Sequence, residues 1–136
     1  MAVENALSAA NLVDSFGVAT HIDYTDGAYA SIDKTLSALN YLGLDHVRDA
    51  SPTPKSDPYG QGHLGDAAAA GIKFTFLAQG GEAPQDVVAR LHQFIADHPR
   101  SITAIEGPNE VNNWQVNYNG LTGTAGAQAY QQALYS

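Results

Sequence analysis

The sequence predicts an α/β protein, a parallel sheet whose short strands alternate with amphipathic helices. Three observations carry that expectation. Four short segments, 16–22, 45–49, 72–78 and 102–106, are too brief for helices and read as buried strands. Apolar stripes at helical spacing lie between them. Gly or Pro marks most of the transitions. Strict alternation of this kind argues right-handed βαβ units in one sheet. Two architectures fit it, an open doubly wound sheet or a run of consecutive barrel strands.

The elements follow in order. Leu7, Ala10, Leu12 and Val13 suggest a helical lead-in within residues 1–15. Phe16–Ile22 is the first strand, and Asp26-Gly27 marks a turn or helix start. Ile32, Leu36 and Leu39 fall at i, i+4 and i+7, the stripe of an amphipathic helix that Gly43 closes in a left-handed cap. Asp45–Asp49 is the second strand. Ser51–Gly65, rich in Pro, Gly, Ser and Asp, is a long loop, and such loops tend to carry function. Leu64–Ala70 is a short helix that ends in an alanine run and is capped by Gly71. Ile72–Ala78 is the clearest strand and Gly80-Gly81 ends it. Pro84 suits the first position of a helix with the stripe Val87, Val88, Leu91, Phe94 and Ile95, and Pro99 lies just past its end. Ile102–Glu106 is the fourth strand and Val111–Thr122 a second long loop. Thr124 is the expected N-cap of a final helix reaching Tyr135.

Composition narrows the function. The chain has 136 residues, enough for one domain with one sizeable core, and a net charge of -8. No run of 18 apolar residues is present, so no membrane span is expected. Met1 is not followed by a secretory signal pattern, and the compartment stays open. Six basic residues, none clustered, argue against nucleic acid. With no Cys there are no disulfides and no thiolate sites. No metal site is expected from His92 and His98, which lack zinc-site spacing. No cofactor is expected either, because Gly80-Gly81 lacks the rest of a phosphate fingerprint. No G-x-S-x-G elbow occurs. The acidic excess serves solubility and repels anionic partners, while neutral molecules such as sugars are unaffected.

Functional side chains of either architecture lie at the C-terminal ends of the strands. His21, Asp23 and Tyr24 follow the first strand, Arg48 and Asp49 end the second, and Gln79 follows the third. Asn109, Glu110, Asn113 and Trp114 follow the fourth. Amides, acids and an Arg bond hydroxyl groups, and an aromatic face stacks on a sugar ring, so a carbohydrate-type small molecule is the expected ligand. Glu110 is the sharpest candidate. It follows Gly107-Pro108 on a strand-exit turn, where partial desolvation would raise its pKa as a general acid requires. Glu106 is expected to be a structural partner of Arg48 or Lys73.

The run Ile105-Glu106-Gly107-Pro108-Asn109-Glu110 resembles the fourth-strand signature of clan A glycoside hydrolases, in which an Asn-Glu pair ends the strand. His46-Val47-Arg48-Asp49 is similar to the second-strand motif and Gly17–His21 to the first. The stretch Glu106–Trp114 is most similar to bacterial barrel hydrolases of the xylosidase and iduronidase sort. The resemblance runs from about Phe16 onward. It implies that Glu110 is the acid/base, that Asn109 binds the sugar and that Arg48 supports the nucleophile, with His21, Trp114 and Asn113 lining the pocket. It also implies a single domain, 1–136, with four consecutive βα units forming half of a TIM-type (βα)8 barrel. A whole barrel takes about 250 residues. The retaining mechanism of the clan needs a second carboxylate from the seventh strand, and no acid here fits that role. Little native glycosidase activity is therefore expected. The exposed edges of a half barrel invite a homo-oligomer that completes the sheet. Two alternatives stand beside this reading: a carbohydrate-binding or scaffold module, and a small α/β hydrolase with promiscuous activity.

Overall fold

The computed structural model describes residues 8–53 and 61–136. The sheet has four parallel strands in sequence order: β1 (Val18–Ala19), β2 (His46–Ala50), β3 (Lys73–Leu77) and β4 (Ile102–Glu106). The helices are α1 (Ala9–Asp14), α2 (Ile32–Leu42), α3 (Gln61–Ala69), α4 (Pro84–Asp97) and α5 (Gly123–Leu134), with one 3-10 turn at Gly27–Tyr29. The α/β class and the parallel sheet are as the sequence predicts. Leu7, and positions 54–60 of the expected Ser51–Gly65 loop, lie outside the described residues.

One face of the sheet holds the core. Val47, Phe74 and Phe76 alternate toward the helices, as residues two apart on a strand must. The Phe74 and Phe76 rings stack at 4.7 Å, and Phe94 of α4 meets both edge-on at 6.0 and 5.3 Å. Leu91 and Val87 extend the same helical stripe into the core, as the 3.6-residue period requires. Ile95, expected in that stripe, is exposed. It follows Phe94 by one residue, a step of about 100° around the helix, and falls on the stripe's solvent edge. The opposite face of the sheet is open. Ala19, Arg48, Thr75, Ala104 and Glu106 lie on it in register.

Several boundaries differ from expectation. The first strand is two residues, not seven, because its chain leaves the sheet after Thr20, where Thr20 and Ile22 bond the Asp49 carboxylate. Helix α3 starts at Gln61, inside the segment expected to be loop. A bulge where Thr103 is skipped in the β3–β4 register puts Ala104 opposite Thr75, and the Thr103 hydroxyl donates to the Phe74 carbonyl at 3.0 Å.

The expected loop 111–122 contains a hairpin, β5 (Asn117–Tyr118) and β6 (Leu121–Thr122). Asn119 and Gly120 turn it with φ of 52° and 76°, the left-handed pair that a two-residue hairpin turn requires. Thr122 ends β6 and is itself the N-cap of α5, without a side-chain bond, so Thr124 lies inside the helix rather than capping it.

Candidate active-site cleft

A cleft of about 730 Å³ opens at the C-terminal ends of the strands. Its lining includes His21, Tyr24, Arg48, Gln79, Asn109, Glu110 and Trp114. Asn113 is not in the lining but touches it, with its Nδ2 donating to Glu110 Oε2 at 3.4 Å. The sheet topology accounts for this convergence. Residues far apart in sequence leave adjacent parallel strands at the same end.

The first wall is the exit of β1. The His21 imidazole stacks on Tyr24 at 4.7 Å with 13° between planes, and Tyr29 meets His21 edge-on at 6.2 Å. Asp49, 3% exposed at the end of β2, ties this wall to the sheet. Its Oδ2 accepts from the Thr20 hydroxyl at 2.6 Å and the Ile22 amide at 2.7 Å, and its Oδ1 accepts from the Ala50 amide at 2.8 Å. These three bonds hold the carboxylate in place.

Asp23 stands next to that charge. Burial, then its hydrogen bond to Asp49 and the repulsion of the Asp49 carboxylate, push its pKa up to about 7. The folded chain therefore holds the Asp23 proton more tightly than the unfolded chain, whose Asp titrates near 3.8. This group leaves stability at its full value below about pH 4. Stability then falls as pH rises toward about 7, and the loss levels off above that.

Arg48 forms the floor. Its Nε donates to Glu106 Oε2 at 2.8 Å and its Nη2 to Asn109 Oδ1 at 3.4 Å. The pairing of Arg48 with Glu106 is one of the two arrangements expected. Lys73 pairs instead with Asp45, at 3.1 Å. The Arg48 bond engages the Asn109 carbonyl, and among the described residues nothing bonds its amide at the cleft.

The far wall is assembled from β4 and α5. The buried Tyr130 donates to the Gln79 carbonyl at 2.9 Å and so fixes the β3 exit. Gly80 packs so tightly that a Cβ there would lie 2.8 Å from Val116 Cγ2 and 3.2 Å from Pro108. Glu110 has φ of 48°, a left-handed conformation uncommon for a residue other than Gly, Asn or Asp. Its carbonyl accepts from the Asn113 and Trp114 amides at 2.8 and 2.9 Å, which folds the chain back and sets Trp114 beside it. The expected desolvation of Glu110 is absent, for the side chain is exposed.

Gln115, Val116 and Asn117 also line the cleft, and sequence reasoning missed them. They precede the Asn119-Gly120 turn, and that dipeptide was the available signal that this segment folds back as a hairpin. No cluster of three or more potential metal ligands occurs among the described residues. No helix among them is long and apolar enough to cross a membrane. Comparison with protein-family models, with curated proteins and with solved structures finds no match to this chain.

Proposed function

We propose that the cleft is the acid/base half of a retaining glycoside hydrolase site, carried on four βα units of a TIM-type barrel. The observation that carries this reading is the convergence of Glu110, Asn109 and Arg48, which come from two strands and are linked by the Arg48–Asn109 bond, with Trp114 beside them. In this reading the Trp114 face stacks on a sugar ring. The amide of Asn109 donates to a ring hydroxyl, and Glu110 gives its proton to the departing glycosidic oxygen. Exposure of Glu110 is compatible with a cleft that is still open on one side. Among the described residues, the cleft lining contains one carboxylate, Glu110, where retaining hydrolysis uses two roughly 5–5.5 Å apart. Weak or absent hydrolysis therefore follows.

We further propose that a second copy covers the free edges. Leu12, Val13, Phe16 and Val18 are exposed at or near the β1 edge, and an unpaired apolar edge favours association. Sedimentation should find a dimer at micromolar concentration, and a stable monomer there would rule this arrangement out.

The carbohydrate reading is tested by NMR. Methyl β-D-xylopyranoside and methyl β-D-glucopyranoside should shift the Trp114 indole signal and the side-chain amides of Asn109 and Gln79. Asn40 and Gln85, outside the cleft, should not move. Shifts confined to other surfaces would point to a scaffold or a different chemistry.

A further inference from the structure

Among the described residues, the cleft lining holds one Lys or Arg, Arg48, and one acid, Glu110. A carboxylate-bearing ligand entering the cleft would look to that guanidinium. The guanidinium is already engaged from behind. Glu106 does not line the cleft; it sits on the open face of the sheet, opposite Leu77 in register, and takes the Arg48 Nε at 2.8 Å. A second arm of Arg48 is spent on Asn109. With the Arg48 charge neutralised, the cleft presents Glu110 among the uncharged donors and acceptors of Gln79, Asn109, Gln115 and Asn117.

We propose that Glu106 is a specificity-determining residue that makes this cleft select uncharged polyhydroxylated ligands and turn away uronates, an inference resting on the carbohydrate reading above. The physical basis is uncompensated charge. A ligand carboxylate approaches a chain of net charge -8 and finds no free Lys or Arg among the described lining residues, and rejection by unpaired charge is a common source of specificity. The Arg48–Glu106 pair is well suited to such a role. Its side chains are 36% and 41% exposed, and ion pairs that wet add little to folding. The pair's effect therefore falls on the cleft's charge more than on stability, and Glu106→Gln is expected to fold.

A matched ligand pair tests this. Methyl β-D-glucopyranoside and methyl β-D-glucopyranosiduronate differ only at C6, one a hydroxymethyl and the other a carboxylate. Trp114 is the single tryptophan of the chain and lines the cleft, so its fluorescence reports binding directly. At pH 7 the native chain should bind the glucoside at least about tenfold more tightly than the uronate. Glu106→Gln, which releases the Arg48 charge, should bring the two within about threefold by strengthening the uronate alone. In the native chain the gap should also narrow as salt rises from about 0.05 to about 1 M, because screening weakens a charge–charge penalty. Uronate binding as tight as glucoside binding in the native chain would overturn the proposal. So would a gap that neither Glu106→Gln nor salt changes, since rejection would then be steric. Binding of neither ligand would instead overturn the carbohydrate reading beneath it, and the proposal with it.

Discussion

Replacing Asp49 by alanine is expected to destabilise the chain by about 3 kcal/mol and to release the wall that carries His21 and Tyr24. The substitution removes one carboxylate but strands the Thr20 hydroxyl, the amides of Ile22 and Ala50 and, below about pH 7, the Asp23 carboxyl proton. The carboxylate is buried, so water cannot fully replace it. Against this stands one gain, relief of the repulsion on Asp23. That gain is smaller, because Asp23 is only half buried and solvent screens its side. Urea unfolding and amide exchange at Ile22 check both parts. The midpoint should fall and the Ile22 amide should lose its protection; unchanged protection would show that the wall is held by something else. Asp23→Asn should act in the opposite direction. An asparagine amide can still donate to Asp49 but never ionises, so above pH 7 the variant should be the more stable chain, with Tm raised by about 4 °C. The difference should vanish near pH 4, where Asp23 is protonated in the folded chain and half protonated in the unfolded one.

Gly126→Ala is expected to cost about 2 kcal/mol net, although alanine is by itself the better helix former by about 1 kcal/mol. Gly126 is buried in α5 against the hairpin. A Cβ there would overlap the Val116 carbonyl oxygen and come within 2.8 Å of the Leu121 carbonyl oxygen. Both are backbone atoms, so neither can swing aside as a side chain would. Relief requires the hairpin to move off the helix, which draws Val116 and Asn117 out of the cleft wall. Thermal unfolding should show the loss, and the Trp114 emission should shift with it. A variant more stable than the native chain would mean that the helix and hairpin are not so closely apposed.

The contrast between what was and was not legible in the sequence has a physical pattern. Strands β2, β3 and β4 fall within a residue of expectation, each with four or five residues paired to a neighbouring strand. The first strand falls short because only Val18 and Ala19 stay in register with β2 before Thr20 and Ile22 turn to the Asp49 carboxylate, a long-range contact that its apolar letters do not encode. The Gly43 cap is found in the left-handed conformation expected of it, φ 69°. The hairpin was not read, although Asn119-Gly120 encodes it in two residues. At the site, strand-exit position was enough to choose His21, Arg48, Asn109, Glu110 and Trp114, since topology alone gathers them. Position could not tell that Glu110 would be exposed, because exposure depends on what stands opposite. Nor could it reveal the Asp23–Asp49 pair, which depends on a hydrogen bond between two strand exits 26 positions apart.

Glu110 is proposed to be a proton donor in a cleft whose described lining holds no second carboxylate. Incubation with a 4-nitrophenyl β-glycoside, with and without azide, tests it most directly. Azide is small enough to enter the open side and stand where the missing carboxylate would act. It attacks the anomeric carbon, the bond to the phenolic oxygen breaks, and Glu110 passes its proton to that oxygen, giving a glycosyl azide and 4-nitrophenol. The expected result is release of 4-nitrophenol that requires azide and is lost in Glu110→Gln. Release at the same rate without azide would contradict the missing carboxylate, and azide-dependent release that survives Glu110→Gln, or no release at all, would contradict the role of Glu110.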